Sequence, residues 1–193
     1  MATFAEIFRR HPLYQEGHFL LSSGMHSPTY IQIALLLQHP AETAEACREL
    51  ADRFRDRGVE VVVGPAIGAI VLAYEVARQL GARALWTERE EGRMALRRSF
   101  AVRPGERALV VEDVVTTGAA VGEVKRLLEA HGARVVGVGA LVDRSNTALP
   151  LGVPFEALVT VEAEAYLPAL CPLCREGLPL TKPGSRTHAP PPP

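Results

Sequence analysis

Glu112 and Asp113 stand side by side at the end of the apolar run RALVVE, and Val-Val-Thr-Thr-Gly follows them. Two adjacent carboxylates at the mouth of a buried-looking strand are costly unless they face water, a partner or a ligand. Neighbours on an extended chain point to opposite sides. A twist, or a ligand that spans both groups, is therefore needed for them to act together. The vicinal hydroxyls of a ribose are such a ligand, since each O–H can donate to a carboxylate. Thr116, Thr117 and Gly118 then open a helix, whose first N–H groups lack intrahelical partners and form a small anion cradle. An acid pair followed by an anion cradle suits a sugar phosphate. Simple helix capping by Asp113 and the threonines accounts for the same residue types, and the residues alone leave both readings open.

Two further loops have unusual chemistry. In GPAIG, 64–68, two glycines flank a Pro-Ala-Ile step between a strand and a helix. They let backbone approach a ligand closely, and their N–H groups suit a second phosphate. The segment is neither a Walker A loop nor a GxGxxG fingerprint. In LVDRSNTALP, 141–150, Asp143 and Arg144 end an apolar run. Arginine offers planar, directed donors suited to a carboxylate or a carbonyl pair; a surface ion pair explains the two residues equally well.

The elements that must position these loops follow from periodicity. Residues 42–57 have helical spacing, with Gly58 as the stop, and VEVVV at 59–63 reads as a buried strand. A helix over 69–80 ends at Gly81, and a strand follows at 82–86. The charged stretch 87–103 interrupts the rhythm. A central strand at 107–112, a helix at 119–132 and a strand at 133–142 complete it. Short apolar runs alternating with amphipathic helices predict a parallel sheet covered by helices. In such sheets ligands bind at the carboxyl ends of the strands, which is where all three loops fall. The first ten residues read as a short amphipathic helix, and GHFLLSSGMHSPTYIQ, 17–32, as a hood or hairpin. One domain is expected over 1–178, with 1–40 contributing the hood and 179–193, which ends in four prolines, forming a flexible tail.

Composition narrows the function classes. The chain has 193 residues, 48% of them hydrophobic and 22% charged, which suits a globular domain with a sizeable core. A formal net charge of -1 gives no bulk attraction to nucleic acid or to an acidic membrane. No apolar run reaches the roughly 18 residues of a membrane span, and a cytoplasmic protein is expected. Three cysteines argue against a disulfide framework. Cys47 reads as a buried small apolar side chain. Cys171 and Cys174 form one CxxC pair, which supplies two zinc ligands where a structural site needs four. The pair is an inert local feature, a redox pair, or half of a zinc site completed across a dimer. His18, His26 and His131 read as loop or helix-end residues rather than as bases, with His26 the one inside the hood motif.

VVEDVVTTG closely resembles the signature of the type I phosphoribosyltransferases, which bind phosphoribosyl pyrophosphate (PRPP). FLLSSGMHSPTYI at 19–31 and LVDRS at 141–145 are similar to the N-terminal and orotate-contacting motifs of the orotate phosphoribosyltransferases, and with the CPLC segment the chain looks like a Thermus-type branch of that family. The resemblance runs from about residue 12 to 148. It implies an α/β fold with a mostly parallel central sheet flanked by helices and a small N-terminal hood. It further implies that Glu112 and Asp113 hold the ribose hydroxyls of PRPP, and that Thr116, Thr117, Gly118, Ala119 and Ala120 surround its 5-phosphate. Ala66, Ile67 and Gly68 would match the pyrophosphate loop. Arg144 would recognise the orotate carboxylate and ring oxygen, with Thr117 nearby and Tyr30 and Ile31 at the hood positions that sandwich the base. Two positions depart from the family pattern. Ser22 occupies the usual lysine position before Ser-Gly, and in EREEGRMALRRSF, 88–100, Arg89 keeps the first basic position of a mobile loop while Glu90 replaces a lysine.

The implied reaction joins orotate N1 to C1 of PRPP and expels pyrophosphate, giving orotidine 5'-monophosphate in pyrimidine biosynthesis. Mg2+ is the implied cofactor, carried in by the substrate phosphates rather than held in a protein cage. A homodimer is implied, with Arg89 as the loop residue lent across the interface and counted with Glu112 and Asp113 as catalytic. Two alternatives stand beside this expectation. One is a phosphoribosyltransferase for another base, which the joint presence of SSGMHSPTY and LVDRS opposes. The other is a PRPP-sensing regulator with little catalysis, for which the near-neutral charge lacks a nucleic-acid footprint.

Overall fold

The computed structural model describes residues 2–21, 23–145 and 147–183. Ser22 and most of the expected tail, 184–193, lie outside the described residues. Along the chain run α1 (Phe4–Arg10), β1 (Tyr14–Leu20), β2 (His26–Ile31), α2 (Ala34–Leu37), α3 (Pro40–Asp52), β3 (Val61–Pro65) and α4 (Ala69–Leu80). Then come β4 (Arg83–Glu90), β5 (Arg93–Ala95), β6 (Arg107–Val115), α5 (Ala119–Ala130), β7 (Arg134–Asp143), β8 (Phe155–Thr160) and α6 (Pro172–Arg175). Among the described residues no helix is long and apolar enough to cross a membrane.

The chain forms two compact units. The larger holds the residues up to Leu13 and Gln32–Glu162; the smaller holds Tyr14–Ile31 and the chain from Ala163 onward. A single domain over 1–178 with a hood over 1–40 was the expectation. Instead α1 and residues 32–40 belong with the main sheet, and the hood is narrower.

The larger unit carries a six-stranded sheet in the order β5-β4-β3-β6-β7-β8. Every neighbouring pair is parallel except β4 with β5. Alternation along the strands sorts the side chains onto two faces. Val61, Val63, Ala108, Val110, Val138 and Ala140 cluster with Val121, Val124 and Leu128 of α5. The intervening Val62, Leu109 and Val111 are equally buried, which is why these strands read as continuous apolar runs. On that second face α4 lies over β3, β4 and β6 and packs against α3. Each fully buried leucine here, such as Leu128 or Leu72, stabilises the fold by about 1.5–3 kcal/mol.

The helix expected over 42–57 stops at Asp52. Phe54 leaves helical geometry, at φ -120°, and buries its ring beside β7. Gly137 and Gly139 make that possible: a Cβ at Gly137 would stand 2.6 Å from the ring, and one at Gly139 3.1 Å. The strand expected at 82–86 continues to Glu90 and turns into β5, so the charged stretch extends the sheet as a hairpin. β8 is a strand that periodicity did not reveal, because its first five residues are all half-buried.

The smaller unit is built on the antiparallel β1–β2 hairpin, whose register slips between Glu16 and Phe19. The returning C-terminal chain satisfies both of its edges. Tyr166 and His26 exchange two main-chain hydrogen bonds of 2.8 Å, Thr181 N–H donates to His18 O at 2.8 Å, and Leu20 N–H donates to Thr181 O at 2.9 Å. Thr181 is paired with β1, so the tail expected from 179 does not start there.

Candidate active site

The strand order places β3, β6 and β7 side by side, so three loops share one rim. β3 leads into α4 and β4 on one side, and β6 leads into α5 and β7 on the other. The direction of winding reverses between β3 and β6, where open parallel sheets form a crevice.

Glu112 and Asp113 lie inside β6, not after it. Glu112 pairs with Ala140 of β7 and is buried. Glu112 acts on the Asp113 carboxyl at close range. Burial pushes the Asp113 carboxyl above the ordinary aspartate range; the Val114 N–H, 2.7 Å from Oδ1, and the contact with Glu112 oppose that shift.

Asp113 reaches the second loop. A Cβ placed on Gly68 would fall 2.7 Å from Asp113 Oδ2 and 3.2 Å from Cγ. Gly68 precedes α4 directly, and Ile67 beside it is exposed. The turn is held from below: Ala66 N–H donates to Thr87 O at 2.7 Å. Gly64 has a role that the sequence did not reveal. Its absent side chain leaves room for Ala69 Cβ, at 2.7 Å from a Cβ there, and for Val111 O at 3.2 Å, so β3, β6 and the start of α4 close together.

Beyond Asp113, Thr116 is half-buried and Thr117 exposed. Gly118 has φ +71°, a left-handed conformation that glycine adopts without strain, and it turns the chain into α5. Ala119 N–H meets Thr117 Oγ1 at a long 3.4 Å. Ala119 and Ala120 begin the helix, so their N–H groups belong to its open end. Both the acid pair and the cradle thus stand on adjoining turns of the chain, and the capping explanation covers only the weak Thr117 contact.

At the end of β7, Arg144 is buried and its N–H donates to Val115 O at 2.7 Å, tying this loop to the end of β6. Asp143 Oδ1 accepts from Ser145 N–H at 2.8 Å, an Asx-type turn that shapes the loop. The Asp-x-Ser spacing is the signal for it. Arg89 lies on β4 and is exposed; it donates to Glu123 Oε2 of α5 at 3.0 Å and to Gly92 O. Glu123 also accepts from Met94 N–H at 2.9 Å. Sequence spacing does not single out Glu123, because its partners are about 30 positions away. Tyr30 and Ile31 belong to the smaller unit, on β2. Ile31 is buried, and Tyr30 is half-buried with its ring centroid 5.7 Å from that of Phe19. His131 ends α5 with its ring 2.8 Å from Leu127 O, as a helix-end residue should. His18 and His26 are buried strand residues, not loop residues.

A family model described as a phosphoribosyl transferase domain matches residues 32–152. The orotate phosphoribosyltransferase of Desulforamulus reducens is 56% identical over 181 residues, covering 94% of this chain and 95% of that protein. The protein of the same name from Caldicellulosiruptor bescii is 48% identical over 95% of this chain and 96% of its own length. The crystal structure of orotate phosphoribosyltransferase from Aeropyrum pernix superposes with a TM-score of 0.66 at 25% identity, covering 82% of this chain and 94% of that one. The chain belongs to the orotate phosphoribosyltransferase family of the type I phosphoribosyltransferases.

Proposed function

We propose that the protein transfers the 5-phosphoribosyl group of PRPP to orotate, giving orotidine 5'-monophosphate and pyrophosphate. The observation that carries this reading is the likeness to orotate enzymes along nearly the whole chain, hood hairpin and post-β7 loop included. The bond from C1 of the ribose to the pyrophosphate oxygen breaks, and pyrophosphate leaves with the electron pair. Orotate N1 forms the new bond to C1.

Glu112 and Asp113 accept hydrogen bonds from the ribose 2- and 3-hydroxyls. The diol supplies both donors, and the two carboxylates stabilise the cationic ribose ring. The N–H groups of Gly118, Ala119 and Ala120, with the hydroxyls of Thr116 and Thr117, hold the 5-phosphate. Ala66, Ile67 and Gly68 present backbone to the pyrophosphate. Arg144 recognises the orotate carboxylate, with Thr117 near the base.

Mg2+ fits this rim. Its donors are oxygens, from Glu112, Asp113, Thr116 and Thr117, which suit a hard cation. Among the described residues the rim holds no cluster of three metal-ligating His, Cys, Asp or Glu side chains, so the substrate phosphates would complete the shell. When bound, the ion offsets charge on the departing pyrophosphate.

The same reading includes a cytoplasmic homodimer in which Arg89 serves a neighbouring site. Free Cys47, Cys171 and Cys174 suit a reducing compartment. Lending Arg89 requires it to exchange Glu123 for pyrophosphate. The test is turnover with PRPP and Mg2+ against a panel of orotate, uracil, hypoxanthine, adenine, guanine and xanthine. Nucleotide formed from orotate alone is expected. Turnover on another base would keep the PRPP site and overturn the role given to Arg144.

A further inference from the structure

The smaller unit brings together the two cysteines of CPLC and two histidines of the hairpin. Nitrogen or sulfur atoms of His18, His26, Cys171 and Cys174 all lie within 4.8 Å of one another. His18 Nε2 is 3.0 Å from His26 Nδ1, 3.5 Å from Cys171 Sγ and 3.7 Å from Cys174 Sγ; Cys174 Sγ is 3.3 Å from His26 Nδ1. A tetrahedron with zinc–nitrogen bonds of about 2.0–2.1 Å and zinc–sulfur bonds of about 2.3 Å has edges of roughly 3.3–3.8 Å. Four of the six separations lie at or near those edges, with the histidine pair slightly short, and all six fall within 4.8 Å.

The ligand atoms are prepared for a metal. His18 Nδ1 lies 2.8 Å from Leu178 O, so that nitrogen carries the proton and Nε2 keeps its lone pair toward the thiols. His18, His26 and Cys171 are buried, with Cys174 at the surface end. The main-chain bonds of Tyr166 with His26, and of Thr181 with His18, fix the strands on which both histidines sit. The register slip before Phe19 accompanies two successive buried residues, His18 and Phe19, and so allows His18 inward.

The unit also needs a staple. Its buried apolar residues among those described are Phe19, Ile31 and Cys171, while Leu167, Leu170, Leu178 and Leu180 are exposed. Small modules with so little buried apolar surface usually depend on a disulfide, a metal or a partner for stability. Both cysteines are free thiols, and no disulfide joins them.

We propose that His18, His26, Cys171 and Cys174 form an intrachain structural zinc site that clasps the hairpin to the C-terminal segment. Four ligands close the tetrahedron, so the site is structural and has no open position for catalysis. A cluster of two irons would spread its ligands over two centres, whereas these four atoms surround one point. The second pair of ligands comes from the same chain, and no dimer symmetry is needed. This inference does not depend on the phosphoribosyl reaction.

The test uses the full chain, expressed in zinc-supplemented medium and freed of loosely bound metal. Elemental analysis is expected to give one zinc per chain. After unfolding, chelation and refolding with Co2+ alone, the wild-type protein should show the strong visible bands of a tetrahedral site and a thiolate charge-transfer band. The Cys171→Ser/Cys174→Ser and His26→Ala variants should each retain less than a tenth of the zinc. A chelator should lower the Tm of the wild type, with added Zn2+ restoring it. Absence of zinc from the wild type, together with no cobalt–thiolate band, would overturn the proposal without reference to any variant. One zinc per two chains would overturn the intrachain arrangement in favour of an ion shared between copies.

Discussion

Asp113 and Gly68 are in direct contact across the β3–β6 boundary: any Cβ on residue 68 would stand 2.7 Å from the Asp113 carboxylate. Asp113 and the Ala66–Gly68 loop, proposed to hold the ribose and the pyrophosphate, are thereby set against one another. Gly68 is needed for space alone, since its φ of -55° is open to every residue.

Gly68→Ala should therefore displace Asp113 or the loop without straining the backbone. PRPP binding, followed by titration calorimetry, should weaken at least tenfold. Stability should fall by about 1–3 kcal/mol, the usual cost of overpacking. Unchanged PRPP affinity would show that Asp113 and the loop do not act together.

Asp113→Asn should separate stability from activity. The folded-state pKa of Asp113 is raised by burial. Its contribution to stability is thus fully present below the unfolded-state value and is lost as pH rises through the folded-state value. Asparagine does not ionise, so the variant should melt above the wild type at pH 8, by roughly 2–4 °C if about 1 kcal/mol is regained. The difference should shrink as pH falls. Turnover should drop by about 100-fold or more, because one acceptor for the ribose diol is lost.

Arg144→Lys tests base recognition. Lysine keeps the charge but loses the planar fork. KM for orotate should rise by about 10–100-fold, equivalent to roughly 1.5–3 kcal/mol for a charge-assisted bond, while KM for PRPP changes little. Steady-state kinetics with each substrate varied in turn checks this. An equal rise for both substrates would place Arg144 in the scaffold instead.

Arg89 and Glu123 form a pair that must open if Arg89 acts on pyrophosphate. Arg89→Ala should lower kcat by about 100-fold with small effects on KM. Glu123→Gln, which weakens the tether and keeps its shape, should retain most activity and lose at most about 1 kcal/mol of stability, as exposed ion pairs do. Mixing Arg89→Ala with Asp113→Asn protein tests the loan across subunits: recovered activity in the mixture would mean that each supplies what the other lacks.

The sequence by itself determined the parts whose physics is local. Glu112, Asp113 and the Thr-Thr-Gly turn lie within seven residues, and an apolar run feeding them specifies both strand and loop. The parallel sheet was legible for a similar reason: strands buried on both faces are apolar without interruption, and α4 begins and ends where periodicity and Gly81 place its limits. Where burial is partial, as in β8, no alternation marks the strand. Phe54 was read as helix because its spacing is helical; the competing gain was a ring-sized space over Gly137 and Gly139, which only the assembled sheet creates. Tertiary structure likewise decided that Gly68 meets Asp113, that Arg89 meets Glu123, and that CPLC has two histidines beside it. His18 and Cys171 are 153 positions apart. A CxxC in isolation states half of a tetrahedron; the other half exists only once the chain has returned to the hairpin and paired Thr181 and Tyr166 with its edges.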